Sequence, residues 1–213
     1  MDYKNIIKAS NFIGLTGFAQ VGKDETAKIL NLIGFERVSL ADKVRQGVYN
    51  IDPIVFIEEV MSAELGFSDG MGGSQCLPYY EKKLRFGIFM RLQNIVDKVG
   101  WDKAKKITEV RRLLQFYGTE GGRKIFGDKI WTDTADKYIK NKQIQKPVIT
   151  DVRFPNEVEW VKSKENNLLI KIKRPNVGSV NNHISDKGIN DNLCDIIINN
   201  DGSLEDLKNK ILQ

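Results

Sequence analysis

Residues 12–26 read Phe-Ile-Gly-Leu-Thr-Gly-Phe-Ala-Gln-Val-Gly-Lys-Asp-Glu-Thr, and this stretch decides the fold. It begins as a short apolar strand, continues as Gly17, four further residues, Gly22 and Lys23, and then runs into residues typical of a helix. This order is the pattern of a P-loop, in which backbone N–H groups and the lysine surround a phosphate. The N-terminus of the helix adds partial positive charge at the same place.

Asp24 departs from the pattern, which has Ser or Thr after the lysine. A hydroxyl would bind Mg²⁺ directly. A carboxylate binds the metal directly or through a water, and it also brings negative charge near the phosphates. The alternative interpretation of the whole stretch is a Gly-rich turn before an ordinary helix.

The composition is that of a globular protein of 213 residues with 41% hydrophobic residues. No apolar run approaches the roughly 20 residues that span a bilayer, and the N-terminus lacks the apolar core of a signal peptide. We therefore expect a cytoplasmic protein with no membrane partner, in which Cys76 and Cys194 are reduced thiols. A single histidine, His183, excludes mechanisms that need a histidine pair.

The net charge of +5 suits either a nucleic-acid surface or a site for a polyanionic small molecule. Acidic residues are interleaved with the basic ones, which favours the small molecule.

Strand and helix patterns alternate along the chain, which predicts an α/β fold with a parallel sheet covered by helices on both faces. We expect one domain over 1–213, with helical acceptor-binding and lid insertions within about 42–130. The predicted strands after the loop are 35–40, 147–151, 168–173 and 195–199. The first predicted helix is capped by Asp42. Further helices are predicted at 53–65, 79–99, 101–117, within 125–141 and at 158–165, with Gly100 separating the helices at 79–99 and 101–117. A final helix begins with a Ser203–Asp206 capping box. Residues 66–78 are predicted to be a loop, either closing over a nucleotide or a surface excursion. The apolar face of the predicted helix at 79–99 either forms a homodimer interface or packs in the core.

Ligands of such sheets bind at the carboxyl ends of the strands. That rule gathers the loop at 17–24, the turn from Asp42 to Arg45, Asp151 and Arg174 at one edge. Asp151 either holds Mg²⁺ or orients the attacking group, or it caps a turn. Arg174 either lies along adenine or is a solvated strand end.

Three arginines fall within residues 111–123, namely Arg111, Arg112 and Arg123. A guanidinium group can bind two phosphate oxygens at once through two N–H groups. Phosphoryl transfer between two nucleotides requires several such cations. Gln115 and Thr119 lie in the same block, around what the pattern predicts to be a Gly-broken helix end. The alternative is a solvated helix face paired with Glu109 and Glu120.

Three more side chains are candidates for the acceptor side. Arg153 would clamp an incoming phosphate, and Glu157 would accept hydrogen bonds from a sugar hydroxyl or a base. Trp131 would stack on a base. The alternatives are surface charges for Arg153 and Glu157 and a core position for Trp131, and for His183 we expect a loop contact with backbone.

Several blocks together resemble the deoxynucleoside monophosphate kinases of large bacteriophages, a branch of the P-loop kinases. The blocks are Gly-Phe-Ala-Gln-Val-Gly-Lys-Asp at 17–24, Leu-Gln-Phe-Tyr-Gly-Thr-Glu-Gly-Gly-Arg at 114–123 with Trp131 beyond it, Asp-Val-Arg-Phe-Pro-Asn-Glu at 151–157, His-Ile-Ser at 183–185, and Asp-Ile-Ile-Ile-Asn-Asn-Asp-Gly-Ser at 195–203. The second and third blocks are far more specific than the P-loop alone.

The resemblance implies transfer of the ATP γ-phosphoryl group to a deoxynucleoside 5′-monophosphate, with Mg²⁺, in the host cytoplasm if a phage encodes the chain. It implies that Lys23 and Asp24 lie at the ATP phosphates and metal, that Arg111 and Arg112 close over them, and that Asp151 serves the acceptor side and the metal. The ATP-binding residues are then expected to be Gly17, Gly22, Lys23, Asp24, Glu25, Thr26 and Arg174. The substrate-binding residues are expected to be Asp42, Arg45, Gln115, Thr119, Arg123, Trp131, Asp151, Arg153 and Glu157. Two alternatives stay open: a P-loop kinase for another small phosphorylated acceptor, similar to phosphomevalonate kinases, and a nucleic-acid-binding ATP module.

Overall fold

The computed structural model describes residues 3–58, 75–78, 84–178 and 188–212. Backbone contacts divide the chain into two compact units: the first comprises Met1–Lys43 and Phe126–Gln213, and the second comprises Val44–Ile125. Each unit has its own hydrophobic core. The single domain suggested by the sequence stays a prediction.

The elements follow one another as alternating strands and helices in the first unit and as a mixture in the second. The strands are β1 (Phe12–Thr16), β2 (Glu36–Val38), β3 (Ile54–Glu58), β4 (Gln75–Pro78), β5 (Leu84–Arg91), β6 (Pro147–Ile149), β7 (Asn167–Lys173) and β8 (Ile196–Asn199). The helices are α1 (Tyr3–Ala9), α2 (Lys23–Asn31), α3 (Leu40–Ile51), α4 (Leu92–Ala104), α5 (Thr108–Phe116), a π segment (Tyr117–Arg123), α6 (Lys124–Phe126), α7 (Ile130–Lys142), α8 (Pro155–Lys162) and α9 (Leu204–Leu212).

A five-stranded sheet forms the centre of the first unit, in the order β2-β6-β1-β7-β8. The pairings between these strands are parallel. Every residue of β1 is buried, as is the interior of β7, because helices cover both faces of such a sheet. The predicted α/β fold is therefore confirmed, and the glycine loop follows the central strand.

Two helices at the chain ends pack beside this sheet. The sequence did not predict α1, because residues 1–10 are largely polar and charged, but Ile7 on one side of the helix is completely buried in the core. The capping box of α9 is confirmed: the Ser203 N–H donates to Asp206 Oδ2 at 2.8 Å, and the Asp206 N–H donates to Ser203 Oγ at 3.2 Å.

The second unit contains an antiparallel sheet, in the order β3-β5-β4. The predicted helix at 53–65 is therefore wrong over Ile54–Glu58, and the predicted helix at 79–99 is wrong over Leu84–Arg91. The predicted loop at 66–78 is wrong for Gln75–Pro78, which is a strand. The remaining residues of these segments, 59–74 and 79–83, lie outside the described residues.

The pairing between strands explains these errors. In β3, Val55 and Ile57 are buried while Ile54 is 59% exposed, which is an alternation with the period of a strand. A short apolar run fits both a strand and a helix, and here the partner β5 decides. Phe56 lies opposite Phe89 in the register, with the ring centroids 5.3 Å apart.

The helical part of the second unit differs from its prediction in one place. The break at Gly100 is confirmed as a non-helical residue with φ of 74° inside α4. The predicted Gly-broken helix end after α5 is wrong, because the chain continues through its three glycines as the π segment. Across the described residues, none of the helices has the length and apolar character to cross a bilayer.

Candidate phosphate-binding site

The loop between β1 and α2 is built on backbone conformations that glycine favours. Gly17 has φ of 137°, and a Cβ there would lie 2.3 Å from the carbonyl oxygen of Ile172. Gly22, which precedes the first residue of α2, has φ of 106°, and Gln20 between them also has a positive φ of 64°. The predicted strand, glycine loop and helix are therefore confirmed, with both glycines required by their geometry.

Lys23 is held against the loop by two backbone carbonyls. Its Nζ donates hydrogen bonds to Gly17 O at 2.8 Å and to Phe18 O at 2.6 Å. Burial lowers the pKa of Lys23 to about 8, and the positive charge of Arg153 acts in the same direction. Asp151 and Asp24 oppose this shift. Lys23, Asp24 and Asp151 are therefore close enough to interact, as the sheet-edge rule predicts, and Arg153 lies near them.

Asp151 is fixed between two strands and caps α3. The N–H groups on either side of it bind neighbouring strands, Thr150 to the carbonyl of Val38 at 3.0 Å and Val152 to that of Leu15 at 3.1 Å. Its carboxylate accepts hydrogen bonds from three donors of the first turn of α3: Ser39 Oγ at 2.9 Å, Leu40 N at 2.9 Å and Ala41 N at 2.8 Å. Asp151 is therefore a charged cap for this helix N-terminus.

The predicted N-cap role of Asp42 is wrong. The helix begins at Leu40, so Asp42 lies within its first turn, and Asp151 supplies the cap. The Asp42 carboxylate instead pairs with Arg37, whose Nη1 lies 3.1 Å from Asp42 Oδ2.

Arg37 on β2 also reaches the carboxylate in the phosphate loop. Its Nε lies 3.4 Å from Asp24 Oδ1, and the Asp24 side chain is 73% exposed. Burial opposes the charge on Arg37, but the carboxylates around it, of which Asp42 contributes most, outweigh that effect and raise the pKa of the guanidinium. One arginine thus links two of the predicted site residues, and the sequence analysis missed it because a charged residue on a short strand has no motif.

The next two residues of α2 are engaged within the helix. The Thr26 hydroxyl donates to Gly22 O at 3.0 Å and is fully buried. Glu25 forms an exposed ion pair with Lys28 at 2.7 Å. Thr26 therefore stabilises the loop through Gly22, and its hydroxyl does not replace the one that Asp24 lacks.

Glu157 is a buried residue that fixes the turn after Asp151. It is 2% exposed, and its Oε2 accepts hydrogen bonds from Arg153 N at 2.6 Å and Phe154 N at 3.1 Å. The carboxylate therefore caps α8 and orients the backbone from which the Arg153 side chain extends. This arrangement favours a supporting role over direct contact with a sugar or base.

The other candidates of the first unit lie on α7 and at the end of β7. Trp131 is 8% exposed within α7, in agreement with its interpretation as a core residue. Arg174 is exposed and follows β7 directly, at the same edge of the sheet as the phosphate loop. His183 lies outside the described residues.

The arginine block belongs to the second unit. Arg111 is exposed on α5. Arg112 forms a two-pronged ion pair with Glu109, at 2.8 and 2.6 Å, and this contact raises the pKa of the arginine. Glu109 is thus the partner that the solvated-face alternative proposed for Arg112.

The remaining candidates lie near the end of α5 and in the π segment. Arg123 is 9% exposed at the end of the π segment, whereas Gln115 on α5 and Thr119 in the π segment are half-buried. The segment packs closely on α3, because a Cβ on Gly47 would lie 2.4 Å from the Tyr117 hydroxyl. Arg45 is half-buried on the same helix. π-helical turns are rare and occur frequently at functional sites, so this block stays a candidate.

The central position of the glycine loop, the lysine at its end and the parallel sheet of the first unit define an α/β protein of the P-loop class. A model of the deoxynucleotide monophosphate kinase family matches residues 57–211. Because this match covers more than half of the chain, the protein belongs to the deoxynucleotide monophosphate kinase family.

Three curated proteins are similar to parts of the chain. The deoxynucleoside-5′-monophosphate kinase of Escherichia phage T5 is 42% identical over 52 residues, which are 24% of this chain and 21% of the relative. The deoxynucleotide monophosphate kinase of Escherichia phage RB69 is 31% identical over 105 residues, 48% and 43% of the two chains. That of Enterobacteria phage T4 is 26% identical over 136 residues, 62% and 53%. The chain thus spans about half or less of the length of these relatives.

Among solved structures, dephospho-CoA kinase from Campylobacter jejuni matches 93% of this chain and 91% of its own, with 16% identity and a TM-score of 0.41.

Proposed function

We propose that this protein is an ATP-dependent kinase that transfers the γ-phosphoryl group of ATP to a deoxynucleoside 5′-monophosphate, giving the diphosphate and ADP. The observation that carries the proposal is Lys23 at the end of the glycine loop, with Asp151 and Arg153 within electrostatic reach. Membership of the deoxynucleotide monophosphate kinase family supports the choice of acceptor. By analogy with the phage relatives, the reaction would take place in the cytoplasm of an infected cell.

The phosphate loop would bind the ATP phosphates by backbone amides, by the N-terminus of α2 and by Lys23. The lysine now donates to two loop carbonyls, so a phosphate oxygen would take over at least one of these hydrogen bonds. Since phosphoryl transfer needs little covalent help from the protein, positioning and cations dominate its catalysis.

In the proposed reaction an oxygen of the acceptor phosphate attacks the γ-phosphorus of ATP. The new P–O bond forms as the bond from the γ-phosphorus to the β,γ-bridging oxygen breaks, and that oxygen leaves on ADP. Lys23 and Arg153 would neutralise the charge that moves onto the bridging and equatorial oxygens. Asp151 would act by fixing the first turn of α3, near which Asp42 lies.

Mg²⁺ is the metal that such a reaction uses. Asp24 and Asp151, the carboxylates near the phosphate loop, are few in number but suffice for Mg²⁺ that is bound to phosphates. No group of three or more His, Cys, Asp or Glu side chains suited to a metal occurs in the part of the chain that the structure describes. Mg²⁺ at phosphates needs only one or two carboxylates, because phosphate oxygens and waters complete its shell. Asp24, exposed beside Lys23, has the more accessible carboxylate, whereas Asp151 already accepts three hydrogen bonds. When bound, the metal would offset phosphate charge.

The acceptor-side residues remain predictions. We propose Asp42, Arg45, Gln115, Thr119, Arg123 and Arg153 as acceptor-binding residues, and Arg111 and Arg112 as cations of the closing segment. Glu157 would support the acceptor side by orienting the backbone of Arg153, and Trp131 would support it from the core of α7. The contact with Glu109 means that Arg112 must release this partner before it can bind a phosphate.

The test is an ATP-consumption panel over the four deoxynucleoside monophosphates and their ribo counterparts. We expect ADP release and a diphosphate product with at least one deoxynucleotide. Turnover only with another phosphorylated metabolite would favour a different P-loop kinase. Tight, salt-sensitive DNA binding with no acceptor phosphorylation would favour a nucleic-acid module.

A further inference from the structure

Asn200 follows the last strand of the sheet, and its side chain contacts the phosphate loop. Its Nδ2 donates a hydrogen bond of 2.8 Å to the carbonyl oxygen of Val21, which is 179 residues away in sequence. Asn200 is 9% exposed, and its own backbone N–H donates to Lys173 O at 2.7 Å. The amide is therefore a buried donor whose position is fixed by the end of β7.

We propose that Asn200 is a positioning residue of the phosphate loop, on which tight binding of the ATP phosphates depends. The inference rests on the proposed function in one respect, namely that this loop binds ATP. It does not depend on which acceptor receives the phosphoryl group.

The geometry of the peptide bond gives the physical reason. Peptide bonds in the described residues are trans. The C=O of Val21 and the N–H of Gly22 therefore lie in one peptide plane and point in opposite directions. A hydrogen bond that holds the Val21 carbonyl toward Asn200 therefore turns the Gly22 N–H away from Asn200. A P-loop binds phosphate through inward-pointing N–H groups of this kind. Without the hydrogen bond, the peptide plane is free to rotate and the amide loses its orientation.

Close packing around Gly22 supports the same conclusion. A Cβ on Gly22 would lie 2.5 Å from Asn200 Nδ2 and 3.9 Å from a methyl group of Leu207 on α9. The glycine is thus required both by its positive φ and by the amide that sits against it. Val21 itself is buried in the core cluster that also contains Leu207. The loop therefore rests on the segment from Asn200 to α9.

A turn residue would not need these features. The sequence Asn-Asp-Gly at 200–202 predicts a turn after the last strand, and an asparagine in such a turn is normally exposed and hydrogen-bonded to its own backbone. Asn200 is instead buried, and its side chain reaches a distant loop. A buried carbonyl without a hydrogen bond is costly. The contact with Asn200 gives the carbonyl oxygen of Val21 a hydrogen-bond donor.

The test compares Asn200→Ala and Asn200→Leu with the unchanged protein. Both variants remove the donor without adding a charge, and the second keeps approximately the size of the side chain. We expect the Kd for ATP, measured by calorimetry, to rise about tenfold or more. Part of the binding free energy would then be spent on ordering the loop. We expect the KM for the nucleotide acceptor to change by less than about twofold, since the acceptor does not use this loop.

Asn167→Ala is the matched control. Its Nδ2 also donates to backbone carbonyls, those of Lys162 at 3.1 Å and Lys164 at 2.7 Å, but it lies at the start of β7, opposite Phe12 and at the other end of β1 from the loop. This variant should lose a similar amount of stability in urea unfolding and keep its ATP affinity.

Unchanged ATP affinity in a folded Asn200→Leu or Asn200→Ala protein would overturn the inference. So would an equal loss of affinity in Asn167→Ala, because the effect would then follow stability alone. If Asn200→Ala does not fold, the uncharged Asn200→Leu, which leaves a smaller cavity, decides the question. Failure of the unchanged protein to phosphorylate deoxynucleotides would remove the proposed function but leave this comparison of ATP affinities valid. Failure to bind ATP at all would overturn both.

Discussion

The carboxylate of Asp151 accepts a hydrogen bond of 2.8 Å from the backbone N–H of Ala41, a residue 110 positions away in sequence. Ser39 and Leu40 bind the same carboxylate, so the end of β6 and the start of α3 are joined at the edge of the sheet where the phosphate loop lies. The contact gives Asp151 a structural role at the first turn of α3, and its catalytic role stays a prediction.

Asp151→Asn should reduce both stability and activity. One of the three donors would face an NH₂ group instead of an acceptor, so we expect a loss of about 1–2 kcal/mol in the free energy of unfolding, measured in urea. Asp201→Asn is the control, because Asp201 pairs with Lys210 at an exposed site, where an ion pair contributes little to stability. Equal stability of the two variants would show that Asp151 is not a structural cap.

Lys23 should make ATP binding depend on pH above about 8. The pKa of the lysine is lowered to about 8, and bound polyphosphate would raise it again because opposite charge favours the ammonium form. Binding at higher pH must therefore take up a proton, so Kd should rise with pH, approaching tenfold per pH unit. Calorimetry in buffers of different ionisation enthalpy measures this uptake.

Lys23→Arg is the control for that titration. A guanidinium stays charged throughout the accessible range, so the variant should show a flat profile from pH 7 to 9.5 even if its affinity is weaker. An equally steep profile in this variant would assign the titration to another group.

Arg37→Gln should weaken ATP binding with little effect on stability. Arg37 neutralises Asp24 and Asp42, and without it two carboxylates beside the phosphate loop would repel ATP. We expect Kd to rise about tenfold at low salt and less at high salt, where charges are screened. Lys28→Gln removes another exposed cation from α2, paired with Glu25, and should leave Kd within about twofold. A similar effect of both changes would mean that only net charge matters.

Gly47→Ala should affect the acceptor more than ATP. The new methyl group would meet the Tyr117 ring and hydroxyl within 2.6 Å, so Tyr117 and the π segment must shift. We expect the acceptor KM to rise at least about fivefold, while the ATP Kd stays the same. Gly178→Ala, with nothing within 4 Å of the new group, is the matched control. An unchanged acceptor KM would remove the π segment from the acceptor side.

The sequence predicted the part of the fold that local patterns determine. The apolar run of β1, the glycines at 17 and 22, and the alternation of strands and helices specify the first unit, because each feature lies within a few neighbouring residues. The antiparallel sheet was missed because β3 and β5 are short apolar runs whose partner, not their own pattern, selects the strand.

Local patterns also indicated some of the candidate site residues. Lys23 and Asp24 follow from the glycine loop, and Asp151 and Arg153 follow from their positions after a strand, while their roles stay predictions. Asp42 was mistaken for a cap because the true cap, Asp151, comes from a distant part of the chain. Arg37 and Asn200 were missed for the same reason: the first has the sequence of an exposed strand charge and the second of a turn, and only tertiary contacts give them their partners.

The most direct test of the central claim is ³¹P NMR of ATP and a deoxynucleoside monophosphate mixed with the unchanged protein or with Lys23→Met. We predict that the unchanged protein forms ADP and the deoxynucleoside diphosphate in equal amounts. We also predict that the variant, folded by circular dichroism, is slower by at least about a hundredfold, as expected when a cation at the transferred phosphate is lost. Product formation at an undiminished rate by Lys23→Met, or none by the unchanged protein with any deoxynucleotide, would contradict the account.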